Sequence, residues 1–298
     1  MENSNKKHVI IVVCFNDTNT TKEYLKNTCQ LQNVDWIIIV DNCSTNNFFS
    51  DINNYIIENN LENKVECIKS EYNGGYSYGN NIGIKYAIKK YNPNFISISN
   101  ADVILNDLAL QECIKLLQTD KKAGLVAPLM VTPSNEFIKS YWNLPTFTML
   151  LLRNFIILNR FIRKFQDRNF QCINNKIVAP CVNGSFFMAR KETFIEINYL
   201  DDRVFLYSEE NILGQKIKKV GLQNYVLKNV EYIHNHKGSI LQNINSVSKR
   251  LDISHHSLCL YNKEYLKTNK FQNFIFNITY IIGKYTYLPF FYIRNILR

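Results

Sequence analysis

The chain has 298 residues, 46% of them hydrophobic, and a formal net charge of +10 at pH 7. That length holds one large α/β domain, with or without a smaller appendage, and the apolar fraction excludes a globally disordered chain. The positive balance favours polyanionic partners such as nucleotides, phospholipid headgroups or nucleic acid.

The first residues, MENSNKKHVIIVVCFN, contain an apolar run of only about seven residues, too short for a signal-peptide core followed by a cleavage site. They read as a first β-strand, and the expectation is a protein that stays in the cytoplasm. Further on, WIIIVDN, VECIKS, FISISN and GLVAP read as strands bounded by Asn, Asp and Gly turn signals. Between them the sequence predicts helices over 22–30, 48–59, 78–90 and 108–117. In the third of these, Ile84, Ala87, Ile88 and Tyr91 recur at one helical face. Near-continuous apolar strands alternating with helices imply a mostly parallel sheet covered on both faces. Ligands of such sheets bind at the carboxyl ends of the strands.

The stretch from Ser140 to Phe165 is aromatic, aliphatic and basic, with no acidic residue. It reads either as a buried helix pair or as a flap or lipid-touching surface. From Val178 the alternation resumes with APCVNGSFFMAR, VFLYSEENILGQKIKKVG and a strand ending in VEYIHNHKGS. The tail, 271–298, is interrupted by Asn277, Lys284 and Pro289, a poor fit to a membrane span. Two readings stand for it: a basic aromatic helix lying on a membrane surface, or a helix packed on the domain. The eight cysteines are scattered without a CxxC pair, which implies reduced thiols, most of them buried as small hydrophobes.

Polar clusters follow the strands. An aspartate at a strand's carboxyl end, as in Asp41 of VDNCS, can accept from a ribose hydroxyl or a base N–H; it can equally cap the next helix. YNGGYSYGNNIG places Gly74, Gly75 and Gly83 among asparagines, which suits a backbone pressed against a ligand and a helix N-terminus open to phosphate. Asp102, closing SNAD, is an oxygen ligand of the type Mg²⁺ or Mn²⁺ takes, or else a turn residue. Glu209 and Glu210 open a helix beside aromatic residues. They complement its dipole, or one of them serves as a general base. His234 and His236 share a strand face and are plausible metal or phosphate contacts, or merely a surface pair.

In this order, CFN, VDNCS, NGGYSYGNNIG, SNAD, VNGSFFMARKETF, FLYSEEN and HNHKGS resemble the family 2 glycosyltransferases of GT-A fold, particularly rhamnosyltransferase-like members of polysaccharide biosynthesis. The resemblance runs from about His8 to Ser239. It implies an α/β fold with a mostly parallel central sheet flanked by helices, its Rossmann-like nucleotide-binding half at 1–130 and an acceptor-side half at 131–240. A C-terminal helical extension, 241–298, would follow. It implies an inverting transfer of sugar from a UDP- or dTDP-linked donor to a glycan or lipid-linked hydroxyl. A divalent cation, Mg²⁺ or Mn²⁺, would assist, with no nucleic acid involved; contact with the inner face of the cell membrane rests on the basic aromatic tail and stays open against its packing on the domain.

Residue by residue, the resemblance puts Phe15, Asn16 and Asp41 around base and ribose. Asn73, Gly75, Asn80, Asn81 and Asn100 fall at the donor, and Gly184, Ser185 and Glu209 on the acceptor side. Asp102 and either His234 or His236 would hold the metal, and Glu210 would be the catalytic base. Three departures accompany it: Asn100 stands for the first Asp of the DxD motif, Glu210 for an Asp, and Ile212 for a further acid. The competing readings are a sugar-nucleotide nucleotidyltransferase, which wants a glycine-rich basic loop where this chain has NDTNTTKE, and a non-enzymatic basic module for nucleic acid or membrane.

Overall fold

The computed structural model describes residues 7–155, 158, 162, 169–235 and 246–296. In chain order they form β1 (His8–Cys14), α1 (Thr18–Thr28), β2 (Trp36–Asp41), α2 (Phe48–Glu58), β3 (Val65–Lys69), α3 (Gly75–Tyr91) and β4 (Phe95–Ser99). Next come β5 (Val103–Ile104), α4 (Asp107–Thr119), β6 (Ala123–Val131), β7 (Phe137–Ile138), β8 (Tyr141–Trp142) and α5 (Phe147–Arg153). The third stretch comprises β9 (Cys172–Ile173), β10 (Lys176–Val178), β11 (Cys181–Val182), β12 (Phe186–Arg190), α6 (Lys191–Glu196), α7 (Glu209–Lys219) and β13 (Gln223–His234). Two C-terminal helices, α8 (Val247–Leu260) and α9 (Lys270–Ile296), are joined by a π-helical turn over Tyr261–Tyr265.

The main sheet runs β3-β2-β1-β4-β12-β6-β13-β10-β9. β1 is parallel to β2 and β4, β2 to β3, and β13 to β6, whereas β12 is inserted antiparallel between β4 and β6. The sheet is thus mostly parallel, as expected. Strand order reverses at β1, whose neighbours are β2 on one side and β4 on the other. That places a topological switch point, where α/β sheets leave a crevice for ligand, between the ends of β1 and β4.

Alternation along the strands sends residues to two faces. Ile10 and Val12 of β1 pack with Leu25 of α1, Phe48 and Ile52 of α2, and Leu110 and Cys113 of α4. Val9 and Ile11 pack on the opposite face with Ile84 and Ala87 of α3, Phe194 of α6 and Ile217 of α7. α3 lies unusually close to the sheet. A Cβ on Gly83 would stand 2.3 Å from Ile11 Cγ2, and one on Gly79 would stand 2.6 Å from Val13 Cγ1.

A third, smaller cluster of Leu150, Val204, Ile212, Tyr261 and Phe276 holds the C-terminal helices to the domain. Hydrogen bonds from Ser257 Oγ to the Leu206 carbonyl, from Gln215 Nε2 to Tyr261 Oη and from Tyr265 Oη to Asp201 add to it.

Three expectations change. The helix pair foreseen over 140–165 is, in its described part, β8 followed by the seven-residue α5, and α5 finds its partner in the tail. Asn154 hydrogen-bonds Thr279, and Phe147 faces Phe276. The tail helix runs on through Pro289 instead of breaking there. The eight cysteines are free thiols, but only Cys14, Cys113 and Cys181 are buried, while Cys172 is exposed. Among the described residues no helix is long and apolar enough to cross a membrane.

Candidate active site

The loops after β1, β2 and β3 are tied into one rim at the switch point. Asn16, in the left-handed region with φ of 57°, donates its N–H to Ser44 Oγ, and its side chain exchanges hydrogen bonds with Thr45. Half-buried Phe15 precedes it. Asp41 is buried; its Oδ1 accepts the Ser44 N–H and closes the turn, so it caps no helix, α2 starting only at Phe48. Its Oδ2 has no hydrogen-bond partner. A buried carboxylate oxygen left without a donor is costly, and a ribose hydroxyl or base N–H would satisfy it. Asn42, which the sequence reading passed over, organises the rim. Its Nδ2 donates to Asn73 Oδ1 and to the Gly75 carbonyl, and its Oδ1 accepts from Ser70.

The glycines of α3 lie against protein on their side-chain side. Gly75 adopts φ of +86°, and a Cβ on it would stand 2.0 Å from the Phe205 carbonyl oxygen. The Gly75 N–H is already held by Asn73 Oδ1. At Gly75, Gly79 and Gly83 the space a Cβ would take is filled by Phe205, Val13 and Ile11. Asn81 is also redirected: its amide exchanges hydrogen bonds with both backbone groups of Leu200, so it fixes α3 to the following loop and does not line the rim. Asn80 is buried, with Nδ2 on the Tyr76 carbonyl and Oδ1 unpartnered.

Across the switch point, β5 pairs antiparallel with the end of β13, setting Val103 opposite His234. This pairing brings together residues 132 apart, His234 Nε2 lying 3.1 Å from Asp102 Oδ1. A carboxylate beside an imidazole suits a divalent cation; the carboxylate fits Mg²⁺ or Mn²⁺, and the nitrogen favours Mn²⁺. Among the described residues no group of three or more His, Cys, Asp and Glu is placed to hold a metal. A cation held by this pair would therefore complete its shell with oxygens of a diphosphate and water. His236 lies outside the described residues. The Asn100 N–H donates to the Ser185 carbonyl, and the Asn100 side chain makes no hydrogen bond among the described residues.

Glu209 and Glu210 begin α7 after two consecutive residues in the left-handed region, Tyr207 (φ 68°) and Ser208 (φ 66°). Neither is glycine, so the turn stores strain of the kind found where side-chain placement matters. The Gly184 N–H donates to Glu210 Oε1 at 3.3 Å, and the Gly184 carbonyl accepts from Tyr76 Oη at 2.6 Å. Ser185 Oγ lies 2.8 Å from Tyr232 Oη, two residues before His234. Gly184 and Ser185 thus connect Glu210 to Asn100 on one side and to the His234 strand on the other.

Burial raises both carboxyls. Glu209 is held well above the usual carboxylate range by burial and by the neighbouring Glu210 charge. Glu210 is raised by burial, opposed by backbone N–H donors including that of Gly184. Glu209 Oε2 has no hydrogen-bond partner. Only Glu209 is raised further by its neighbour's charge, and only Glu210 gains the Gly184 N–H beyond its own backbone donor.

Comparison with known proteins gives consistent results. The family model for glycosyl transferase family 2 matches residues 9–197. The chain is 24% identical over 220 residues to the low-salt glycan biosynthesis hexosyltransferase Agl10 of Haloferax volcanii, covering 72% of this chain and 64% of that protein. It is also 24% identical over 164 residues to the rhamnosyltransferase WbbL of Escherichia coli, covering 54% of this chain and 60% of that protein. The matches thus span less than two thirds of either relative. Among solved structures, the mannosyltransferase PcManGT of Pyrobaculum calidifontis, in complex with GDP-Man and Mn²⁺, superposes with a TM-score of 0.60 at 14% identity, over 92% of this chain and 69% of that one. GalNAc-T7 with UDP, GalNAc and Mn²⁺ gives 0.63 at 13% identity, over 89% and 50%.

Proposed function

The chain belongs to glycosyl transferase family 2 and has the GT-A fold, and from that premise we propose that it transfers a sugar from a nucleotide-diphosphate sugar to a hydroxyl of a glycan or lipid-linked acceptor, inverting the anomeric centre. The observation that carries this reading is the linkage of Asp102 and His234 to Glu210 through the Gly184–Ser185 turn and Asn100. Hydrogen bonds thereby connect a carboxylate–imidazole pair and a buried acid of raised pKa through one turn, which supports a phosphate side and a base in one site.

In this reading Phe15, Asn16, Asp41 and Asn73 shape the nucleotide side, and the unpartnered Asp41 Oδ2 takes a ribose or base donor. Asp102 and His234 hold a divalent cation, which when bound neutralises charge on the departing diphosphate. Glu210 accepts the acceptor hydroxyl's proton as the new glycosidic bond forms and the bond from the anomeric carbon to the phosphate oxygen breaks. With Glu210 as base and no nucleophile assigned on the opposite face of the sugar among the described residues, one displacement and hence inversion is the reading. Burial and the Glu210 charge raise Glu209, which disfavours a second negative charge beside the base. Nucleotide-diphosphate sugars as donors and Mn²⁺ as the cation are supported by the neighbours solved with GDP-Man or UDP and Mn²⁺. UDP- and dTDP-sugars are the first donors to try.

Residues 1–240 would be the transferase domain and 241–298 an extension, working in the cytoplasm on surface-polysaccharide precursors. Incubation with a panel of sugar nucleotides, Mn²⁺ and glycan or lipid-linked acceptors tests this. The expected result is release of a nucleoside diphosphate from one donor with a product of inverted anomeric configuration. No donor consumed across the panel, or a product of retained configuration, contradicts it.

A further inference from the structure

The tail helix α9 is two-sided in a way its packing does not explain. Phe276, fully buried, and Gly283, whose Cβ would stand 2.0 Å from the Asn154 carbonyl oxygen, define its inner line. Lys284 and Tyr280 hold the helix to Asp252 of α8. On the opposite side Phe271, Phe274, Ile278, Ile281, Ile282 and Tyr285 are 40% to 72% exposed. At about 100° per residue these six fall within an arc of roughly 100°, centred about 180° from the inner line, and extend for roughly 20 Å. They form nearly half of the large apolar side chains that the described part of the molecule exposes. An apolar stripe this long on a soluble surface marks an interaction face.

Charge identifies the occupant. Over its 27 residues α9 carries no Asp or Glu. Exposed Lys263, Lys267 and Lys270 precede the stripe. A second copy of α9 would bring the same positive charge and no acid of its own, and Glu264 beside these lysines already lies 4.0 Å from Lys263 and 3.9 Å from Arg203. An anionic lipid surface offers both what the lysines and what the stripe require, headgroup charge and an apolar interior a few ångströms below. No described helix suits crossing, so the geometry is that of a helix lying in the interface. We infer that α9 docks the protein on an anionic bilayer, apolar stripe inward, with Lys263, Lys267 and Lys270 among the headgroups. The inference is independent of the sugar-transfer reading.

The test is co-sedimentation of the full chain with vesicles of phosphatidylcholine alone or mixed with phosphatidylglycerol. The wild type is expected to pellet with the mixed vesicles only, and less as salt rises. Changing Phe274→Ser, Ile278→Ser and Ile281→Ser together lowers the partition coefficient by about tenfold or more, with an unchanged circular dichroism spectrum. Each single change, expected to lower it by a smaller factor, is measured beside the triple one, so that a folding failure of the triple variant leaves the test standing. Lys263→Gln, Lys267→Gln and Lys270→Gln together remove the preference for phosphatidylglycerol. The inference is overturned if the wild type ignores the mixed vesicles or if the serine variants bind as it does. A wild-type dimer that the serine changes dissociate, with no vesicle binding, overturns it as well and assigns the face to self-association.

Discussion

Replacing Glu210 by Gln separates chemistry from architecture at this site. Glutamine has the same shape, and its Oε1 can still accept the Gly184 N–H that Glu210 accepts at 3.3 Å, so the turn linking the two halves of the site stays in place. What is lost is the ability to take a proton. Positioned general bases contribute about 10²- to 10⁴-fold, or roughly 2.7 to 5.4 kcal/mol. The expectation is a fall of that size in kcat, with donor affinity measured by calorimetry within about twofold of wild type.

Stability carries an independent signature. Burial raises Glu210 above the ordinary value of 4.5, so the folded state binds more protons than the unfolded one, and stability falls as pH rises from 4.5 through the folded pKa. Gln removes that loss. Melting midpoints of wild type and variant should therefore converge at pH below 4.5, and the variant should melt higher at pH 8. A variant that turns over at the wild-type rate, or a wild type that is the more stable at pH 8, would refute the assignment of Glu210 as a buried base.

Three further outcomes follow from the same geometry. Log kcat should rise with pH on its acid side with unit slope through an apparent pKa above 4.5, as the raised Glu210 requires; an acid limb at or below that value counts against it. Asp102→Asn should abolish the Mn²⁺-dependent part of thermal stabilisation by a nucleoside diphosphate, since it removes the carboxylate next to His234; undiminished metal dependence places the cation elsewhere. Gly83→Ala should destabilise the fold by about 1–3 kcal/mol through overpacking against Ile11, read as a lowered denaturation midpoint, and an unchanged midpoint would show that α3 does not rest on the sheet as described.

The first 130 residues were legible because their signals are local. β1, β2 and β4 are short β-rich runs closed by Asn or Asp and β3 is a shorter mixed run before Ser70, and all four form over the stretches that read as strands. The antiparallel insertion of β12 and the two-residue β5 were not legible, because both are decided by pairing between distant segments. The same is true of the site. Asp102 and Glu210 could be singled out by residue type and position, but the joining role of the Gly184–Ser185 turn could not, since it binds Glu210, 26 residues on, and the N–H of Asn100 on a distant strand end. The glycines of α3 misled for a related reason. A missing side chain signals close approach without saying to what, and here Ile11, Val13 and Phe205 fill the space. Tyr207 and Ser208 gave no warning either, for a left-handed backbone at a non-glycine residue is imposed by its surroundings.

The most direct measurement is manganese anomalous scattering from crystals of the protein soaked with Mn²⁺ and a nucleoside diphosphate. The account predicts a single strong peak within coordination distance of Asp102 and His234, bridged to the diphosphate, with the nucleoside over the rim formed by Asn16, Asp41 and Asn73. A manganese ion bound away from that pair, or a nucleotide seated anywhere but between the ends of β1 and β4, would contradict it.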